Sequence, residues 1–74
     1  MKYFLYAFSG NLIALRNKKG LTQAQLAKKL GVTETSIRCY EKDRNFPSID
    51  KLINMCNFFN VSLDYLFTEH SEEN

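Results

Sequence analysis

Thr22-Gln23-Ala24-Gln25-Leu26-Ala27-Lys28-Lys29-Leu30-Gly31-Val32-Thr33-Glu34-Thr35-Ser36-Ile37-Arg38-Cys39-Tyr40-Glu41-Lys42-Asp43-Arg44-Asn45-Phe46-Pro47 is the stretch that decides the fold. Leu26, Ala27 and Leu30, with Leu21 just before them, fall on one stripe of a helix that Thr22 can cap through its hydroxyl. Gly31 then supplies a left-handed residue that stops this helix without a Cβ clash. Val32 packs in the turn and Thr33 can cap a second helix. At roughly 100° per residue, Ile37, Tyr40 and Glu41 lie on one side of that second helix, and Thr35, Arg38, Cys39 and Lys42 on the other. Two short helices joined by a tight turn, the second with a polar, cationic outer face, are a means of placing side chains in a DNA groove.

Outward from this pair, Ser9 reads as the N-cap of a first helix running to about Lys18, with Phe8 as its hydrophobic staple and Leu12, Ile13 and Leu15 facing inward. Lys18 and Lys19 suit the negative end of its dipole, and Gly20 ends it. Pro47 biases Phe46 away from helix, so Asp43 to Pro47 read as a loop. Ser48 can cap a fourth helix with Ile49, Leu52, Ile53, Cys56 and Phe59 on its inner stripe, and Asn60 can stop it. Ser62 can cap a short fifth helix from Leu63 to Phe67. The expectation is all-α: five helices and no required strand. The chain divides into an apolar N-terminal extension (residues 1–7), a helical domain (8–68) and an acidic tail (69–74) in which His70 is an ordinary tail residue.

At 74 residues there is room for one domain with a single small core. Cys39 and Cys56 lack the paired spacing of a zinc site, so neither metal nor disulfide is expected to hold the fold. Reduced thiols without a secretory signal suit a cytoplasmic protein, and the apolar run at the start is far too short to span a membrane. The net charge of +2 hides an asymmetry. Between Arg16 and Arg44 lie eight basic residues against three acids, whereas Glu69, Glu72 and Glu73 follow Thr68 with no Lys or Arg. A basic segment alone can be a solvated face; joined to the paired-helix pattern it points to a polyanion partner. The chain offers no Ser/His/Asp or Cys/His set, no phosphate-cradling Gly loop and a single His, so no catalytic residue is assigned and no enzyme is expected.

Residues 8 to 67 resemble the Cro/CI-type helix-turn-helix domains of bacterial and phage regulators. The resemblance rests on Phe8, Leu12, Leu15-Arg16, Gly20-Leu21-Thr22-Gln23, Leu26-Ala27, Leu30-Gly31-Val32, Ile37, Tyr40-Glu41, Pro47-Ser48, Leu52 and Val61-Ser62-Leu63-Asp64-Tyr65-Leu66. Asp43 stands where such domains often carry Gly; Asp tolerates the left-handed region better than most residues. The resemblance implies a compact five-helix lambda-repressor-like fold with helices two and three as the helix-turn-helix. It implies a sequence-specific regulator, most simply a repressor, that binds double-stranded DNA in the major groove. It also implies that Arg16 and Glu41 pair across helices one and three, and that Gln23 lies against a phosphate at a helix start.

On that reading Glu34, Thr35, Arg38 and Cys39 stand nearest the bases. Arg38 can fork onto guanine O6 and N7, Thr35 and Cys39 can meet a thymine methyl, and Glu34 can accept from a cytosine amino group or simply favour the helix dipole. Thr22, Gln23, Thr33, Ser36, Lys42, Arg44 and Asn45 are the backbone candidates. A palindromic operator calls for a homodimer, for which Leu63, Leu66 and Phe67, extended by Tyr3, Phe4 and Tyr6, are the candidate contacts. At this length neither a cofactor nor a small-molecule ligand is expected. The competing reading is a protein-interaction module of the same fold, an antitoxin or anti-repressor, which should show large apolar groups on the outer face of helix three.

Overall fold

The structure, a computed structural model, describes residues 7–70. In chain order these form α1 (Ala7–Lys18), α2 (Gln23–Leu30), α3 (Glu34–Glu41), α4 (Ile49–Phe59) and α5 (Leu63–Leu66), with no strand among the described residues. α2 and α3 have eight residues each. Helices so short are marginal alone, so their ends and their packing decide whether they form.

Four of the starts follow one chemistry. Thr22 Oγ1 accepts from the Gln25 amide at 3.0 Å and Gln25 Oε1 accepts from the Thr22 amide at 2.8 Å, a reciprocal capping box. Thr33, Ser48 and Ser62 each accept from the amide three residues on. The other ends share a second device. Gly20, Gly31, Asp43 and Asn60 are left-handed, with φ of 70°, 71°, 60° and 57°. Behind each, the next amide reaches back to close the helix: Leu21 to the Arg16 carbonyl, Val32 to Ala27, Arg44 to Cys39 and Val61 to Cys56, at 2.9–3.1 Å. Asp43 therefore does keep the end of α3.

Two expectations about the helices need correction. Ser9 is not an N-cap: α1 already includes Ala7 and Phe8, and Ser9 lies inside it. Burial of Ala7 and Phe8 in the core outweighs the local capping preference of a serine. Ile49 and Ile53 are not on the inner stripe of α4 either; they are 58% and 50% exposed, and Met55 is buried instead. The buried line of α4 runs through Leu52, Met55 and Phe59. Ile53 stands roughly 100° from Leu52 around the helix, and Ile49 sits in the open first turn.

The core joins Phe8 and Leu12 of α1, Leu26 and Ala27 of α2, Ile37 and Tyr40 of α3, the α4 line and Leu66 of α5. Phe8 is its hub, edge-on to Tyr40 and Phe46 and stacked on Phe67 at 5.7 Å. Asn11 of α1 clamps the far end of the chain. Its Nδ2 lies within 2.9–3.0 Å of the carbonyls of Tyr65, Leu66 and Thr68, at and just beyond the end of α5. His70 is more than a tail residue: its ring stacks on Tyr65 at 3.9 Å and its Nε2 meets the Tyr65 carbonyl at 2.9 Å.

A Cβ built on Gly31 would meet nothing within 4 Å, so the demand for glycine there is purely conformational. Gly31→Ala is expected to destabilise the fold by about 1–2 kcal/mol through its left-handed φ alone. Gly31→Asn is expected to recover much of that loss. Denaturant melts of the three chains check this, and an alanine variant as stable as wild type would contradict it.

Candidate nucleic-acid interface

The turn at Gly31 lays α3 across α2. Leu26 and Ala27 of α2 face Ile37 and Tyr40 of α3 in the core, which turns the remaining side of α3 outward. Thr35, Arg38, Cys39, Lys42 and Arg44 line one shallow depression on that side. The surface is polar and cationic, with no large apolar group. Glu34 stands at its edge, its Oε2 3.3 Å from Arg38 Nη1, and Arg38 Nη2 also donates to Thr35 Oγ1 at 3.4 Å. Both members of the Glu34–Arg38 pair are about half exposed, at 49% and 44%, so water screens it. Such a pair is worth at most about 1 kcal/mol, too little to hold Arg38 against a better acceptor.

The backbone candidates divide by what already occupies them. Thr22 and Thr33 spend their oxygens as caps, and Thr33 Oγ1 also donates to Ser36 Oγ at 3.0 Å. Lys42, Arg44 and Asn45 are exposed beyond the end of α3. Cys39 is a half-buried free thiol in the depression. Cys56, on α4, is the thiol that burial pushes up in pKa, which keeps it protonated and inert.

Beneath this surface lies a charged network. Arg16 Nε donates to Glu41 Oε2 at 2.6 Å and Arg16 Nη2 donates to Glu41 Oε1 at 3.1 Å, a bidentate fork. Arg16 Nη1 donates to the Leu21 carbonyl at 2.9 Å. The Arg16 side chain is 15% exposed and that of Glu41 only 5%. Hydrogen bonding to Glu41 raises the Arg16 pKa against the opposing effect of burial. A raised base is charged wherever the unfolded one is charged, so its contribution is fully present below its ordinary pKa and fades only above it, in strong alkali. Gln23 belongs to the same network: its Nε2 donates to Glu41 Oε1 at 2.9 Å. Spacing in sequence gave no sign of that bond.

The dimer candidates fare unevenly. Leu63 is 41% exposed, but Leu66 is fully buried in the core of its own domain and cannot also face a partner. Phe67 is half-buried against Phe8 and Phe46. Phe46, Ile49 and Ile53, unremarked as surface residues in the sequence, are the other large apolar groups left exposed among the described residues. Tyr3, Phe4 and Tyr6 lie outside the described residues. Among the described residues no three His, Cys, Asp or Glu side chains gather as metal ligands, and no helix is long and apolar enough to cross a membrane.

A model of the helix-turn-helix family matches residues 12–66, most of the chain and all of the network and depression just described. The chain belongs to the helix-turn-helix family. It is 44% identical over 66 residues, 89% of its length, to the uncharacterized HTH-type transcriptional regulator YqaE of Bacillus subtilis, and spans 57% of that relative. Its fold matches the P22 c2 repressor in complex with a synthetic operator, with a TM-score of 0.77 and 28% identity over 82% of this chain and 92% of that one. It also matches the biofilm regulator SinR in complex with DNA, with a TM-score of 0.72 and 27% identity over 80% of this chain and 95% of that one. The architecture is thus that of the CI/Cro-type, DNA-binding helix-turn-helix regulators, as the residue pattern led one to expect.

Within this helix-turn-helix the fork between Arg16 and Glu41 fixes α3 from behind. Glu41→Ala is expected to destabilise the fold by about 3 kcal/mol, near the low end for a broken buried pair because Arg16 keeps some access to water. A thermal or chemical melt superimposable on wild type would show the pair to be solvated and dispensable.

Proposed function

We propose that this chain is a sequence-specific repressor of transcription that reads a palindromic operator in double-stranded DNA as a homodimer. The observation that carries it is the outer surface of α3, where Thr35, Arg38, Cys39, Lys42 and Arg44 converge on one depression with the buried fork of Arg16 and Glu41 behind it. The operator in the P22 c2 repressor complex and the DNA in the SinR complex support the same use of this fold.

In the proposed complex α3 enters the major groove. Arg38 leaves its loose pair with Glu34 and forks onto guanine, while Thr35 and Cys39 sit against neighbouring base edges. Glu34 favours the positive end of the α3 dipole and repels phosphate, which keeps it at the rim unless a cytosine amino group faces it. The start of α2 at Thr22 and Gln23, the start of α3 at Thr33 and Ser36, and the trailing Lys42, Arg44 and Asn45 lie along the phosphates. These contacts supply affinity and salt dependence without sequence. A protein-docking role for α3 would call for apolar groups on this face, and among the described residues the large exposed apolar groups lie elsewhere, at Phe46, Ile49, Ile53 and Leu63.

Those four suit a two-fold contact, in which each surface meets its own copy and apolar groups avoid opposing like charges. Two recognition helices reading one face of a palindrome must stand about 34 Å apart, which demands a defined contact near the axis. Sedimentation is expected to find a dimer at high micromolar concentration and a weaker one for Leu63→Glu. A monomeric wild type would defeat the dimer. Removal of residues 1–6, which spares the buried Ala7 at the start of α1, measures the share of Tyr3, Phe4 and Tyr6.

Selection of bound duplexes from a random pool tests the whole reading and is expected to return a symmetric site. Against that site, Arg38→Ala is expected to cost about 1–3 kcal/mol and to relax preference at one base pair. Arg44→Ala should weaken all sequences nearly alike and flatten the dependence of affinity on salt. Identical behaviour of the two variants would contradict the division between base and backbone contacts, and salt-independent affinity would contradict DNA binding itself.

A further inference from the structure

Gln23 stands in a place that its sequence position did not announce. As the first residue of α2 it would ordinarily wave in solvent, yet its carboxamide Nε2 donates to Glu41 Oε1, an oxygen that also accepts from Arg16 Nη2. A carboxamide carries two N–H donors and one acceptor oxygen. One donor is spent on Glu41, and no other side-chain hydrogen bond of Gln23 occurs among the described residues. The residue is half-buried. One N–H and the oxygen of an otherwise mobile side chain are therefore held in a fixed frame and left unspent.

The frame is held at several points. Glu41 accepts three hydrogen bonds, two from Arg16 and one from Gln23, and is itself almost out of water. Arg16 is anchored in turn by the Leu21 carbonyl, in the turn that leads into α2. Movement of the Glu41 carboxylate would thus carry the Gln23 carboxamide with it. A charged acceptor holds its donor more firmly than a neutral one would.

We propose that Glu41 is a positioning residue for DNA that acts through Gln23. Resting on the DNA-binding reading above, the proposal is that Glu41 holds the Gln23 carboxamide so that its remaining N–H meets one backbone phosphate per half-site. The rotamer freedom of Gln23 is then lost on folding and not again on binding, which favours the complex. The buried fork accordingly does two things. It sets the angle of α3, and it fixes one phosphate contact at the start of α2, so that recognition helix and backbone clamp share one reference point.

The test uses the full chain, its selected duplex and three variants. Gln23→Met keeps the length of the side chain but has no N–H. Glu41→Asp draws the carboxylate back by one methylene but keeps its charge, which the long, doubly bonded Arg16 side chain can follow and the singly bonded Gln23 carboxamide loses; the third variant combines both. Each single change is expected to weaken binding roughly tenfold, the loss of about one hydrogen bond to a charged partner. The double variant is expected to bind no more weakly than Gln23→Met, because Glu41→Asp keeps the ion pair with Arg16 that sets the angle of α3 and has no carboxamide left to hold. Losses that multiply in the double variant would overturn the proposal.

To separate binding from unfolding, circular dichroism fixes a temperature at which every variant is folded. A second measurement replaces the duplex phosphates one at a time by neutral methylphosphonates. With wild type, one position per half-site is expected to weaken binding through Gln23. That position should become silent in both single variants while the other phosphates keep their effect. A uniform weakening at every phosphate in Glu41→Asp would mean a general structural role and would overturn the proposal while leaving DNA binding intact. Failure of wild type to bind any duplex would instead remove the reading on which both rest.

Discussion

A carboxylate almost out of water, with every hydrogen bond it needs supplied by two other helices, is the constraint on which this small structure turns. Glu41 ends α3, Arg16 lies in the last turn of α1, and Gln23 opens α2. Desolvating such a group is costly, and an isosteric apolar cluster would often be as stable. What apolar groups cannot supply is direction. The core residues fix that α3 packs on α1 and α2; the fork of Arg16 onto Glu41, with its paired distances of 2.6 and 3.1 Å, fixes its rotation. Among the described residues no buried side-chain nitrogen or oxygen lacks a partner, so the charge is fully absorbed.

That constraint is effective because the helices around it are short and closed at both ends. An eight-residue helix gains little from internal hydrogen bonds once nucleation is counted. The Thr22 and Thr33 caps and the left-handed residues at Gly31 and Asp43 satisfy groups that would otherwise be left open at the ends of α2 and α3. At the far side Asn11 performs the same service for α5, whose four residues hold together through contacts with α1. Each element is stabilised mainly from outside itself.

This division explains which features were legible in the sequence. The caps at Thr22, Thr33, Ser48 and Ser62 and the stops at Gly31 and Asn60 are written in residues adjacent to the groups they satisfy, and all of them could be read directly. Ser9 misled because a capping residue caps only if the chain before it leaves the helix, and the burial of Phe8 is a tertiary fact. The rotation of α4 misled for a similar reason. Ile49, Ile53 and Met55 are all apolar, and only the neighbours of α4 decide which of them is covered. Asn11 reaches acceptors 54 to 57 residues away, and the bond from Gln23 to Glu41 crosses 18 residues, beyond any local pattern. Of the candidate interface, residue types and their common face were readable; the connections behind them were not.

The loose pair between Glu34 and Arg38 gains meaning beside the tight one between Glu41 and Arg16. Both join Glu to Arg, yet one is half exposed with a single contact of 3.3 Å and the other is buried and forked. The buried pair is too costly to break, so it serves as scaffold. The exposed pair is cheap to break, so it can serve as a competitor. In the proposed complex Arg38 exchanges Glu34 for guanine at little loss where guanine is present. Where another base stands, Arg38 can remain with Glu34 and gain nothing from the groove, while phosphate contacts persist. Because only a better acceptor than Glu34 draws Arg38 away, the exposed pair costs the right complex little while a base that offers less gains nothing from Arg38, and the difference between the two is the specificity. The same two residue types, separated by burial alone, hold α3 still in one place and, in the proposed complex, leave Arg38 free to change partners in the other.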